Sequence, residues 1–209
     1  MKITWYGHSC FAVEHGGYTI LLDPYYPDSV PGLQLPMLTA QKVLCSHQHK
    51  DHGAAELIKL AAGPEDPFTI TTIEVYHDHH QGEHRGSNII HILEADGIRV
   101  AHLGDLGHLL SEEQAKQLQW LDAVMIPVGG HYTIDADEAK QVLNAIHPRV
   151  TIPMHYQGHG YDYPVIAQVE NFLEKCDNVQ EYVSNVIEIT PDTKPQTAVL
   201  ALPSIVRKA

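Results

Sequence analysis

The amino-acid sequence predicts an α/β fold, and three observations carry that prediction. The chain has 209 residues, 44% of them hydrophobic, which suits one globular core and is short for two. Apolar and polar residues alternate in many short segments, the period of half-buried strands. Other segments have helical spacing and helix caps, so strands and helices alternate along the chain. No linker, low-complexity tract or exact repeat interrupts this order, and residues 1–209 are expected to form a single domain. The pattern by itself leaves open whether the strands make one sheet or two.

Segments 2–6 and 10–15 alternate, and the run 18–22 follows Gly16-Gly17. Two such runs joined by Gly-Gly predict a β-hairpin. Pro24, Pro27, Pro31 and Pro36 mark residues 24–39 as a long irregular loop, and loops of that length are often functional. Residues 42–46 read as a short apolar strand that ends at a loop, 47–52. A helix is expected over 53–61, stopped by Gly63-Pro64. The Thr, Ile, Val and Phe of 68–76 predict a strand, and a His-rich loop follows over 77–87. Strands 88–95 and 98–103 flank Asp96-Gly97, a hairpin signal. Ser111-Glu112-Glu113-Gln114 is a capping-box pattern that opens a helix to about Trp120. A strand over 123–128 precedes a helix over 136–146, whose apolar face is Ala139, Val142, Leu143 and Ile146. A strand over 149–154 leads into His155. A helix over 164–175 and strands near 186–190 and 198–202 complete the order.

Charge and composition exclude several classes. Lys and Arg number 13 against 26 Asp and Glu, a net charge of −13 with His neutral. A domain this acidic lacks the footprint for nucleic acid and is a poor match for an anionic membrane surface. No apolar run approaches the ~20 residues of a membrane span. Met1-Lys2-Ile3-Thr4-Trp5 runs straight into a strand pattern without the sections of a signal peptide. Three cysteines, Cys10, Cys45 and Cys176, show no CxxC spacing, so a reducing, cytoplasmic setting is expected. The chain has 16 histidines, an excess of the residue most often used to ligate metals.

The decisive stretch is His47-Gln48-His49-Lys50-Asp51-His52. His47 and His49 are two apart, so in extended backbone they point the same way and can share one cation. Asp51 and His52 come where the chain turns, and can aim at a second position nearby. Imidazole and carboxylate are the donors that Zn²⁺ and its neighbours prefer.

This HxHxDH run resembles the signature of the metallo-β-lactamase fold superfamily, and the remaining motifs follow that family's order over nearly the whole chain. The resemblance implies a four-layer αββα sandwich with one or two metals at one edge. Asp23, in Leu21-Leu22-Asp23-Pro24, resembles the family's early Asp that supports the metal loop. Asp105, in His102-Leu103-Gly104-Asp105, resembles the carboxylate that bridges two metals. His155, in Ile152-Pro153-Met154-His155, resembles the late His ligand of the second metal. For the third His of the first metal, His77 at the end of strand 68–76 is favoured, and His79 would share its face if the strand ran on. The implied assignment is His47, His49 and His77 on metal one, Asp51, His52 and His155 on metal two, and Asp105 between them. No Cys stands at the second site, unlike the β-lactamases, and His49 stands where the flavodiiron branch carries Glu.

That ligand set implies hydroxide shared by two divalent ions, zinc foremost with Mn²⁺ or Fe²⁺ suited to the same donors, as nucleophile on an ester, lactone or phosphoester. Asp51 would both ligate and orient it, as the catalytic residue. Gly7-His8-Ser9-Cys10-Phe11 resembles the opening of the sub-branch that includes L-ascorbate 6-phosphate lactonase and the N-acyl-phosphatidylethanolamine phospholipase D enzymes. His8 could reach the pocket or serve the turn. Arg85, His131 and Tyr132 are secondary candidates for substrate contact. Two other readings are a metal-dependent nuclease or phosphodiesterase, disfavoured by the charge, and a non-catalytic metal-binding scaffold. A small-molecule substrate is expected as the partner, with no nucleic acid and no membrane; the sequence is silent on oligomeric state.

Overall fold

In the computed structural model, which describes residues 1–208, the N-terminal segments form the strands their alternation predicts. These are β1 (Lys2–Trp5), β2 (Phe11–His15) and β3 (Tyr18–Leu22); β4 (Thr39–Ala40), β5 (Lys42–Leu44) and β6 (Lys59–Leu60) follow, of which only β5 was expected. Next come β7 (Thr69–Tyr76), β8 (Ser87–Ala95), β9 (Ile98–His102), α1 (Glu112–Gln117), β10 (Ala123–Pro127), α2 (Ala136–Ile146) and β11 (Val150–Met154). The chain ends through α3 (Glu170–Leu173), β12 (Val179–Glu181), β13 (Val186–Glu188) and β14 (Gln196–Val199).

The strands make two large sheets. One has five strands in the order β13-β1-β2-β3-β5, and the other seven in the order β12-β14-β11-β10-β9-β8-β7. Central sheets flanked by helices are the α/β sandwich of the metallo-β-lactamase type. Ile3, Trp5, Phe11, Val13, Ile20 and Leu22 from the first sheet join Ile90, Ile92, Val100, Met125, Ile152 and Met154 from the second in one buried core. β10 and β11 are buried at every residue, as parallel strands covered on both faces must be. α2 keeps its predicted bounds. Asp135 caps it, accepting from the Asp137 and Glu138 N–H groups, and Ala139, Val142 and Ile146 are buried on one face. The Ser111 capping box opens α1 as expected. Caps of this kind contribute about 1 kcal/mol each.

Two predicted helices differ. The one expected over 53–61 is a single 3-10 turn, Ala55–Leu57, followed by β6. The Ala54, Lys59 and Ala61 N–H groups donate to the carbonyls of Pro24, Leu38 and Ala40. The 24–40 loop thus takes the backbone bonds that a helix would have used. The helix expected over 164–175 shortens to α3. Ahead of it the Ala167 N–H donates to the Gly129 carbonyl and its own carbonyl accepts from Gln157, so that stretch pairs with neighbouring loops.

Strand direction places the functional residues. β1 and β3 both run antiparallel to β2, and β5 is parallel to β3. The C-terminal ends of β1, β3 and β5 therefore share one edge. In the second sheet β7 and β9 are both antiparallel to β8, and β10 and β11 follow parallel to β9. Their C-terminal ends share an edge as well, and the residues just beyond these seven ends meet. Ligand sites in open α/β sheets favour the same place, outside the carboxyl ends of the strands.

Candidate metal centre

Asp23 leaves β3 with φ at +47°, a conformation that costs a non-glycine residue and here turns its carboxylate inward. One oxygen accepts from the Ser46 N–H at 2.6 Å. The other accepts from Ser46 Oγ at 2.6 Å and from His52 Nδ1 at 2.8 Å. One buried carboxylate thus clamps both ends of the 46–52 loop. Burial alone would raise the Asp23 pKa, but neighbouring His102 and the hydrogen-bonded His52 outweigh it and hold it well below the usual carboxylate range.

Asp105, beyond β9, is the hub. His52 Nε2 lies 3.3 Å from its Oδ1, while His77 Nε2 at 3.2 Å, His155 Nε2 at 3.3 Å and His47 Nε2 at 4.0 Å face its Oδ2. The backbone N–H of Asp105 donates to Asn88 Oδ1 at 2.9 Å. Gly104 makes the close approach possible: it has φ +53°, and a Cβ there would lie 2.4 Å from Ser46 Cβ. Burial would raise the Asp105 pKa, but His155 and His52 hold it well below the ordinary value. Burial, then neighbouring His52, pushes His47 down to about 3, so it is neutral near pH 7, the form that ligates.

The seven residues singled out in the sequence come together. Potential ligand atoms of His47, His49 and His77 lie within 4.8 Å of one another, as do those of His47, His52 and Asp105. A third group, at the same spacing, is His8, Asp51, His52 and His155. His79 is not among them: it is exposed, and its Nε2 is 3.4 Å from Glu138 Oε1. The buried Nε2 atoms of His47, His52 and His155, and Oδ1 of Asp105, have no hydrogen-bond partner. A buried polar atom left unpaired costs roughly 1–3 kcal/mol. Four of them converging where imidazoles face a carboxylate fit a divalent cation.

Each of three imidazoles is also oriented from behind. His47 Nδ1 donates to Ser46 Oγ at 2.9 Å, His52 Nδ1 to Asp23, and His77 Nδ1 to the Tyr132 carbonyl at 3.1 Å. This is the outer-shell support that metal-ligating histidines have. Beside them opens a cavity of about 280 Å³ lined by His49, Asp51, His77, Arg85, Asp105, Tyr132 and Tyr163. Tyr163 Oη lies 3.1 Å from Asp51 Oδ2 and 2.6 Å from the Ser29 carbonyl. The Arg85 guanidinium sits over the Tyr132 ring, 5.4 Å from its centroid. Tyr163 had no motif or periodicity to mark it in the sequence.

A two-sheet α/β sandwich with His/Asp clusters at its strand ends defines a protein of the metallo-β-lactamase fold, equipped to hold one or more divalent metal ions. Residues 2–155 match the Beta-lactamase superfamily domain, and the chain belongs to that family, among proteins similar to the UPF0173 metal-dependent hydrolases. One of these, from Thermoplasma acidophilum, is 28% identical over 215 residues, 88% of this chain and 94% of the relative. A UPF0173 protein of Pyrococcus furiosus is 32% identical over 185 residues, 75% of this chain and 83% of that protein. Among solved structures, a candidate Zn-dependent hydrolase of the metallo-β-lactamase superfamily from Thermotoga maritima superposes with a TM-score of 0.75. It is 36% identical, and the match covers 95% of this chain and 97% of that one. No described helix is long and apolar enough to cross a membrane.

Proposed function

We propose that the chain is a dinuclear metal-dependent hydrolase of a small ester, lactone or phosphoester. His47, His49 and His77 would hold the first cation, and Asp51, His52 and His155 the second. Asp105 would bridge them. The observation that carries this reading is the convergence of buried, unpartnered ligand atoms on Asp105. Zn²⁺ is the first ion to test, supported by the zinc in the name of the Thermotoga relative; the same donors suit Mn²⁺ and Fe²⁺. When bound, such ions lower the pKa of a water towards neutrality and polarise a carbonyl or phosphoryl oxygen.

The chain's own residues do the rest. Asp51 faces the cavity and shares the Tyr163 hydroxyl, which supports a role in orienting the attacking water as well as in ligation. Arg85 and Tyr132 on the cavity wall would receive the substrate. A cavity of about 280 Å³ is at the small end for ligand pockets and supports a small molecule over a polymer. The charge of −13 supports the same choice over nucleic acid. We take residues 1–209 as one domain acting in the cytoplasm. The likeness of Gly7-His8-Ser9-Cys10-Phe11 to L-ascorbate 6-phosphate lactonase makes phosphorylated lactones the first compounds to screen.

The test is metal content per chain, on protein purified without chelator or affinity-tag metal. Wild type should carry about two ions, and Asp105→Ala one or fewer. A wild type that holds none after reconstitution would overturn the reading.

A further inference from the structure

His8 sits in the turn after β1, with φ at +51°, and its side chain is fully buried. Its Nδ1 lies 2.8 Å from Oδ2 of Asp162, which is buried too. Nδ1 is thus taken up by Asp162, and Nε2 is the ring nitrogen left to meet a ligand. That Nε2 has no hydrogen-bond partner. It points into the second ligand group, 3.7 Å from Asp51 Oδ2, beyond hydrogen-bond reach. The His8 ring is 4.2 Å from the ring of His155 and 5.0 Å from that of His52. The arrangement repeats that of His52, where buried Asp23 holds Nδ1 and leaves Nε2 facing the same position. Asp162 is itself fixed: its N–H donates to the Pro31 carbonyl at 2.8 Å, and its Oδ1 accepts from the Tyr163 N–H at 2.9 Å.

We propose that His8 ligates the second cation through Nε2, with Asp162 as its positioning residue. The inference rests on the dinuclear reading above and adds a donor to it. The second position then draws on His8, Asp51, His52, His155 and Asp105, against His47, His49, His77 and Asp105 at the first. That role accounts for a buried imidazole that is held by a carboxylate on one side and unpaired on the other, among three further ligand atoms. His91 also leaves a buried nitrogen, Nδ1, without a partner, but it belongs to none of the ligand groups, whereas His8 Nε2 lies among three other ligand atoms.

The test is stepwise titration of metal-free protein with Zn²⁺, against a competing chromophoric chelator, for wild type, His8→Gln and Asp162→Asn. Wild type should bind two ions. His8→Gln should weaken one of them at least about tenfold and leave the other unchanged. Asp162→Asn should weaken the same ion by about 10-fold, within the 10–100-fold range of outer-shell carboxylates. Because replacing buried His8 risks unfolding, a crystal structure of Zn²⁺-loaded wild type decides without mutation. Nε2 at about 2.0–2.1 Å from an ion supports the proposal, and Nε2 beyond about 3 Å from both ions overturns it. Folded variants that bind both ions with wild-type affinity also overturn it, while leaving the dinuclear reading intact. A wild type that binds no ion fails the dinuclear reading, and this one with it.

Discussion

His77 and His79 stand two residues apart and end in different places. β7 stops at Tyr76, and Asp78 then turns the chain. Its carboxylate accepts from the N–H groups of His80, Gly82, His84 and Arg85. Strand alternation cannot carry His79 back to the site, so it lies exposed against Glu138, while His77 faces Asp105 at 3.2 Å. Metal analysis should therefore separate the two: His77→Ala loses one ion and His79→Ala keeps both. Equal losses would remove His77 from the proposed site. Gly104 gives a second contrast. A methyl there meets Ser46 Cβ at 2.4 Å, on a backbone at φ +53°. Left-handed strain and overpacking together suggest that Gly104→Ala destabilises by about 2–4 kcal/mol, readable by urea unfolding. A loss under about 0.5 kcal/mol, the level of an ordinary surface change, would mean that the 46–52 loop yields freely. Some residues here were legible and others were not. HxHxDH announces itself because its ligands are adjacent in the chain. Asp162 and Tyr163 act on residues 154 and 112 positions away, and no local pattern encodes such a pairing.

Elements whose backbone bonds are internal were the easier to read. α2 closes its own hydrogen bonds, carries its cap at Asp135, and shows its apolar face at helical spacing. The hairpin strands β2 and β3 likewise pair across a tight turn. Residues 53–61 have helical composition but spend their N–H groups on the 24–40 loop, and tertiary pairing wins over propensity there. In the 77–87 loop one carboxylate, that of Asp78, gathers four backbone N–H groups. Asp78→Asn would keep one strong acceptor oxygen where the carboxylate offers two, with each oxygen now serving two N–H groups. The amides of His84 and Arg85, bound to Oδ2, or those of His80 and Gly82, bound to Oδ1, should then exchange faster. Protection of Ile90 and Ile92, inside β8, should not change. Because Arg85 rides on this loop, the same variant should raise KM for an anionic substrate more than it lowers kcat. Unchanged exchange across residues 80–85 would show that the loop is held by other contacts.

At the scale of the whole molecule, the proposed centre ties two sheets together. The first sheet contributes the turn after β1, Asp23, and the 46–52 loop; the second contributes His77, Asp105 and His155. The number of sheets could not be read from the sequence because β13 closes the first by pairing Lys2 with Glu188, and no short-range period reports such a partner. The core of both sheets is apolar and continuous, so it does not depend on ions to form, whereas the strand-end edge holds buried ligand atoms with no partners. Chelation should consequently leave a folded protein that melts earlier. At free Zn²⁺ a thousandfold above Kd, each site adds about 4 kcal/mol. For a chain of this size that corresponds to about 8–16 °C in Tm for each site. Calorimetric scans with and without chelator, alongside far-UV circular dichroism and metal analysis, would measure it. Zn²⁺ added back should restore the shift in wild type, and Asp105→Ala, which faces both ligand groups, should recover only part. Complete removal of the ions with no change in Tm would separate the strand-end cluster from metal binding.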